Sequence, residues 1–191
     1  HSGVARLLLE AGANAEAAGQ GGMRPLHMAT LRGDKELAEL LLAAGANPSA
    51  VDNMGKTPLI ICALRGHSEL MALLLAAGAD VDAADERGVS PIVASTLQGH
   101  KEPTLGGLSR ISTSPGHDET VKLLIKAGAD VGAACNVLAS MGHKDLAARL
   151  RGMAKRELHR SRSRHAPPTA PPAELEEARR AADAAMAALL Q

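Results

Sequence analysis

Histidine carries the most chemical potential in this chain, with eight residues among 191. Imidazole can ligate a metal, carry a proton near neutral pH, or bond backbone groups. Spacing separates these roles. His67, His100, His117 and His143 each follow a glycine, and His1 falls at the same place in the pattern described below. One position recurring in this way is a structural position. Neither the CxxC nor the HExxH spacing that closes a metal site occurs. Cys62 and Cys135 read as small buried hydrophobes, which suits a reducing compartment. Gly12-Ala13 and its counterparts are helix ends and not phosphate loops, which need a following helix start and a lysine. Gly106-Gly107-Leu108-Ser109 is a loose loop rather than a nucleophile elbow. Arg160, Arg162 and Arg164 form a basic run that offers either phosphate contact, a nuclear address or a solvated tail. Without any Phe, Tyr or Trp there is no platform for stacking bases. Nucleic acid is therefore a weak reading. No catalytic residue, metal, cofactor or small-molecule substrate is expected.

The elements that position these residues repeat. Gly22, Gly55 and Gly88 are 33 residues apart, as are Gly12, Gly45 and Gly78, and Pro25, Pro58 and Pro91. A fixed period of this size means stacked units rather than one globular core. The most regular unit opens at Gly55 with Thr57-Pro58-Leu59, passes through Arg65-Gly66-His67 and Leu73-Leu74-Leu75, and closes on Gly78-Ala79-Asp80. Thr57 caps a first helix, and Pro58 starts it at no hydrogen-bond cost. Arg24 stands at the equivalent place one unit earlier, so that start should be weaker by roughly 1 kcal/mol. The absence of aromatics fits thin stacked helices built from Leu and Ala.

These motifs, with Arg24-Pro25-Leu26-His27, resemble the ankyrin repeat over roughly residues 1–150. The resemblance implies an all-α solenoid of helix–turn–helix units joined by β-hairpin loops, and a binding role without chemistry of its own. It also implies that the turn histidines bond backbone across neighbouring units, and that His27 bonds the backbone near the next hairpin.

The array is expected over residues 1–159. A half repeat (1–18) is followed by repeats at about 19–51, 52–84 and 85–134 and by a capping repeat at 135–159. The start at His1 aligns with His67, in mid-repeat, and reads as a fragment. Val4, Leu7 and Leu8 should then lie open on one flank. The third repeat holds an insertion at 101–117, because His100 and His117 occupy one repeat position 17 residues apart. Pro103, Gly106, Gly107 and Pro115 with the Ser/Thr of 109–114 should loop out. A functional loop and a wrongly retained coding segment remain open as its origin. Ser95 and Thr96 bring hydroxyls into that repeat's core and should weaken it. In the fourth unit Val131–Ala134 stands for the long hairpin, and Arg149 and Arg151 replace packing leucines, as a terminal cap requires. A basic and Pro-rich linker (160–172) and an Ala-rich helix (173–191) should follow.

Zero formal net charge gives no whole-chain case for a polyanion or membrane surface. No run of 18 apolar residues predicts a membrane span. The expected function is a scaffold or adaptor that binds a partner protein. The alternative is a regulatory or targeting arm of a longer enzyme or channel whose catalytic part lies elsewhere. An intracellular setting is expected, cytoplasmic or nuclear. By resemblance, the partner face comprises the ends of the first helices (Leu31, Arg32, Leu64, Arg65, Leu97, Gln98) and the hairpin tips (Met23, Asn53, Met54, Lys56, Glu86, Arg87, Val89). A leucine column beside a guanidinium column suits a partner with an apolar ridge edged by carboxylates. The competing reading has the leucines packing only on their own repeats and the arginines solvated.

Overall fold

The computed structural model describes residues 2–98 and 115–164, and side chains within 3–98 and 116–160. By its contacts the chain divides into two units, residues 1–157 and 158–191. Of the second unit only 158–164 is described, as the end of a helix. Nine α-helices and no strand occur among the described residues: α1 Ser2–Glu10, α2 Pro25–Arg32, α3 Lys35–Ala43, α4 Pro58–Arg65, α5 Ser68–Ala76, α6 Pro91–Gln98, α7 Pro115–Lys126, α8 Val131–Ser140 and α9 Lys144–Arg164.

Each start and stop has a local cause. Thr57 Oγ1 accepts from Ile60 N at 3.2 Å, Asp34 Oδ1 from Leu37 N at 3.0 Å, and Asp130 Oδ1 from Ala133 N at 2.9 Å. Arg24 makes no side-chain cap to α2. His27 supplies the reciprocal bond instead, its Nδ1 accepting from Arg24 N at 3.1 Å. Gly33 and Gly66 end α2 and α4 with φ of 71° and 74°, a backbone conformation cheap only for glycine.

First helices pack on first helices, α2 on α4, α4 on α6 and α6 on α8. Each second helix lies on its own first helix, α3 on α2, α5 on α4 and α7 on α6. The core runs between them and is built mainly from aliphatic side chains, without Phe, Tyr or Trp. In α4 all of Pro58–Ala63 is buried, and Met71 and Leu74 close over it from α5. Burying a side chain of the size of Leu59, Ile60 or Leu74 contributes about 1.5–3 kcal/mol. Cys62 and Cys135 are both buried free thiols. Burial pushes the Cys62 thiol up to about 12. Cys135 Sγ donates to Ala147 O at 3.3 Å.

Several expectations need correction. The β-hairpin loops contain no strand among the described residues. Each is a reverse turn closed by two backbone bonds, Asp52 N to Lys56 O at 3.1 Å with Gly55 N to Asp52 O at 3.0 Å, and Asp85 N to Val89 O at 3.2 Å with Gly88 N to Asp85 O at 2.9 Å. Two such bonds are too short a ladder to form a strand. The expected inserted loop 101–117 also ends earlier: Pro115, Gly116 and His117 are the first turn of α7, where proline fits because its missing N–H is not needed. The rest of that insertion, 101–114, lies outside the described residues. Val131–Ala134, which takes the place of the long hairpin, is the start of α8, capped directly by Asp130. The last helix continues through Arg164, so 160–164 is helical. No proline or glycine interrupts it between Met153 and Arg164. Residues 165–191, where the Ala-rich helix is expected, lie outside the described residues.

The third repeat is not left with orphan hydroxyls. Thr96 Oγ1 donates to Ile92 O at 2.7 Å, and Ser95 Oγ to His117 O at 3.1 Å. The Ser95 and Thr120 hydroxyls bond each other, and Thr120 Oγ1 lies 2.8 Å from His117 O; with one proton each, one hydroxyl donates to that carbonyl while the other donates to its neighbour. Satisfied hydroxyls avoid most of the cost of burial. At the other end of the unit, Val4, Leu7 and Leu8 are 62%, 66% and 56% exposed. Arg151 is exposed, and Arg149 is half-buried with Nη2 3.5 Å from Asp118 Oδ1.

Candidate partner-binding face

Two kinds of tie hold the first helices and the tips in fixed register. The first is imidazole to backbone. His27 is fully buried, and its Nε2 donates to Lys56 O, 3.1 Å away in the next tip. Burial lowers its pKa below the ordinary 6.5, against the raising effect of that carbonyl and of Asp52. The ring is therefore neutral, with Nδ1 accepting and Nε2 donating. Further along, the His67 ring packs on Gly33, where a Cβ would come within 2.8 Å of Cε1. His117 repeats this on Gly66, where a Cβ would meet its Cε1 at 3.1 Å, and its Nε2 donates to Leu64 O at 3.3 Å. His143 is exposed. His1 and His100 lie outside the described residues.

Carboxylate or hydroxyl to amide bonds are the second tie. Asn14, Asn47 and Asp80 Oδ1 accept from the amide two residues on, at 2.8–3.0 Å. The residue bearing that amide then reaches the next repeat: Glu16 accepts from Asn47 N, Ser49 from Asp80 N, and Asp82 from Asp130 N, each at 2.9 Å. At the tips Asp52 Oδ1 accepts from Met54 N and Lys56 N, and Asp85 Oδ1 from Arg87 N and Val89 N. Neighbouring tips join through Asn53 N to Gly21 O at 2.9 Å and Glu86 N to Met54 O at 3.2 Å. The sequence motifs mark none of these side chains as a tie, although Asp80 belongs to the motif that closes a repeat. Asp52 and Asp85 were legible as a recurring Asp-x-x-Gly at the 33-residue period. Glu16, Ser49 and Asp82 differ in type, so only their shared ability to accept a hydrogen bond marks them.

On this frame the named residues divide by exposure. Arg32, Arg65, Asn53, Met54, Glu86 and Arg87 are exposed. Met23, Leu31, Lys56, Leu64, Val89, Leu97 and Gln98 are half-buried. Leu64, Leu97 and Val89 pack against the core with part of their surface left open. Positions 31, 64 and 97 fall at the same point of three helices packed in sequence, as do 32, 65 and 98. Asn53, Met54, Glu86 and Arg87 are fixed by the tip bonds. Among the described residues neither Arg32 nor Arg65 enters an ion pair. Arg65 does act on His67, adding to the burial that lowers that imidazole's pKa.

This arrangement provides shape, apolar surface and positive charge. Among the described residues no three of His, Cys, Asp and Glu gather as a metal site, and no helix is long and apolar enough to cross a membrane. Set against known families, residues 1–102 match the model for ankyrin repeats in three copies. No curated protein matches the chain.

Proposed function

The chain belongs to the ankyrin-repeat family, and on that premise we propose that it is a non-catalytic protein–protein interaction module, a scaffold or adaptor. Its partner lies across the first-helix ends and the tips. One observation carries this reading: Arg32 and Arg65 are exposed and outside any ion pair among the described residues, beside half-open leucines on a hydrogen-bonded frame. A preorganised surface loses little conformational freedom on binding, which favours affinity from a modest area. Buried unpaired thiols at Cys62 and Cys135 support an intracellular, reducing setting.

The test is affinity capture from a cell extract by the immobilised full chain, compared with a Met54→Asp/Arg87→Glu variant at two exposed tip positions. At least one protein should be retained by the wild-type chain and lost from the variant, with unchanged helical content. If the two baits retain the same proteins in the same amounts, the tips are not part of a binding face.

A further inference from the structure

Resting on that reading, we propose that the partner segment is an acidic amphipathic helix with two carboxylates seven residues apart on one face. Positive charge is distributed unequally over the described residues. The cations of α1, α3 and α7 are matched, as Arg6–Glu36, Lys35–Glu69, Lys122–Glu119 and Lys126–Glu157. At the ends of α2 and α4, Arg32 and Arg65 are unmatched.

Spacing sets the form of the partner. Packed helices lie about 8–10 Å apart, so equivalent residues on α2 and α4 are separated by one such step. In an α-helix seven residues advance about 10.5 Å and complete almost two turns, returning to the same face. A strand fails this match, because its side chains alternate faces and three residues, about 10 Å, reverse the direction. The half-open Leu31 and Leu64 beside the arginines give an apolar residue at the helix's next i+4 position a surface to cover. They also favour a protein over a phosphate polymer, which has no apolar ridge to offer. The series then loses its charge: Gln98 follows at the end of α6, and Met141, 44% exposed, follows α8. A single carboxylate pair, placed over Arg32 and Arg65, is therefore the expected match.

The probes are two synthetic Ala-based helical peptides of equal composition and about 18 residues. One has its two glutamates seven apart, each followed four residues on by leucine. In the other the second glutamate is moved to five apart, on the opposite face. Fluorescence anisotropy with the full chain should show at least tenfold tighter binding of the first. Arg65→Gln should abolish that preference without changing the melting temperature. Equal binding of both peptides, or a preference that survives Arg65→Gln, overturns the proposal. So does tighter binding of a proline-rich peptide with glutamate at every third residue, because such a segment advances about 9.3 Å per turn without being an α-helix. The binding-module reading fails separately. It falls if extract capture finds no tip-dependent protein, and it stands if capture succeeds while the peptides are not distinguished.

Discussion

His117 reaches back 53 residues to Leu64, its Nε2 lying 3.3 Å from that carbonyl. Its ring also takes the place over Gly66 that His67 takes over Gly33. The repeat register therefore resumes at Gly116-His117, and the Asp82 to Asp130 bond confirms the offset one loop later. In sequence, Gly99-His100-Lys101 and Gly116-His117-Asp118 offer the same Gly-His step twice.

Deleting Lys101–His117 should leave one such step and an ordinary repeat. His100 would then stand before Asp118, with its carbonyl available to Ser95 and Thr120. By the logarithmic law the added residues carry a loop-closure cost on the order of 2–3 kcal/mol. Thermal melts followed by circular dichroism should show a rise of a few degrees. A fall would mean that the deleted residues pack on the array.

The core should respond by position along the array rather than by residue type. Leu8, Leu41 and Leu74 occupy one repeat position but are 56%, 3% and 0% exposed. Leu41→Ala and Leu74→Ala should each cost about 2–5 kcal/mol in denaturant unfolding. Leu8→Ala should cost less than about 1 kcal/mol. A Leu8→Ala loss as large as the other two would show that the α1 face is covered in solution.

Acid should destabilise the fold through two imidazoles, the buried His27 and the half-buried His67. The pKa of His27 lies below 6.5 because burial outweighs the Lys56 bond. His67 shifts the same way, from burial and then from Arg65 and His117. Below about 6.5 the unfolded chain binds protons that the folded chain still refuses, so stability is complete above that pH and falls as pH decreases. Urea midpoints should be level between about pH 7 and 8 and drop as the pH falls below about 6.5. His27→Gln should be less stable throughout, with a shallower acid decline. An equally steep decline in that variant would remove His27 from the cause.

The stacked helices were legible because glycine, proline and leucine recur at fixed spacing, and the backbone conformations they serve leave little choice of residue. The Lys56 partner of His27 came from family resemblance rather than from the residues themselves. The Glu16, Ser49 and Asp82 ties were not legible, because a hydrogen bond to a backbone amide accepts several residue types. Ser95 reads as a defect in isolation and proves to be bonded once Thr120 and the His117 carbonyl are brought beside it. Val131–Ala134 reads in sequence as a short stretch replacing the long hairpin, and its helix was not legible although Asp130 is a good cap. The ends of α2 and α4 were legible as positions. Their exposure, and their lack of ion pairs among the described residues, needed coordinates.

The most direct measurement is the affinity of a captured partner for the wild-type chain and for an Arg32→Glu/Arg65→Glu variant, by titration calorimetry beside matched thermal melts. Both side chains are exposed, so the melting temperature should hold. The expected result is a loss of affinity of tenfold or more, about 1.4 kcal/mol. Unchanged affinity at an unchanged melting temperature would contradict a binding face built on the ends of α2 and α4.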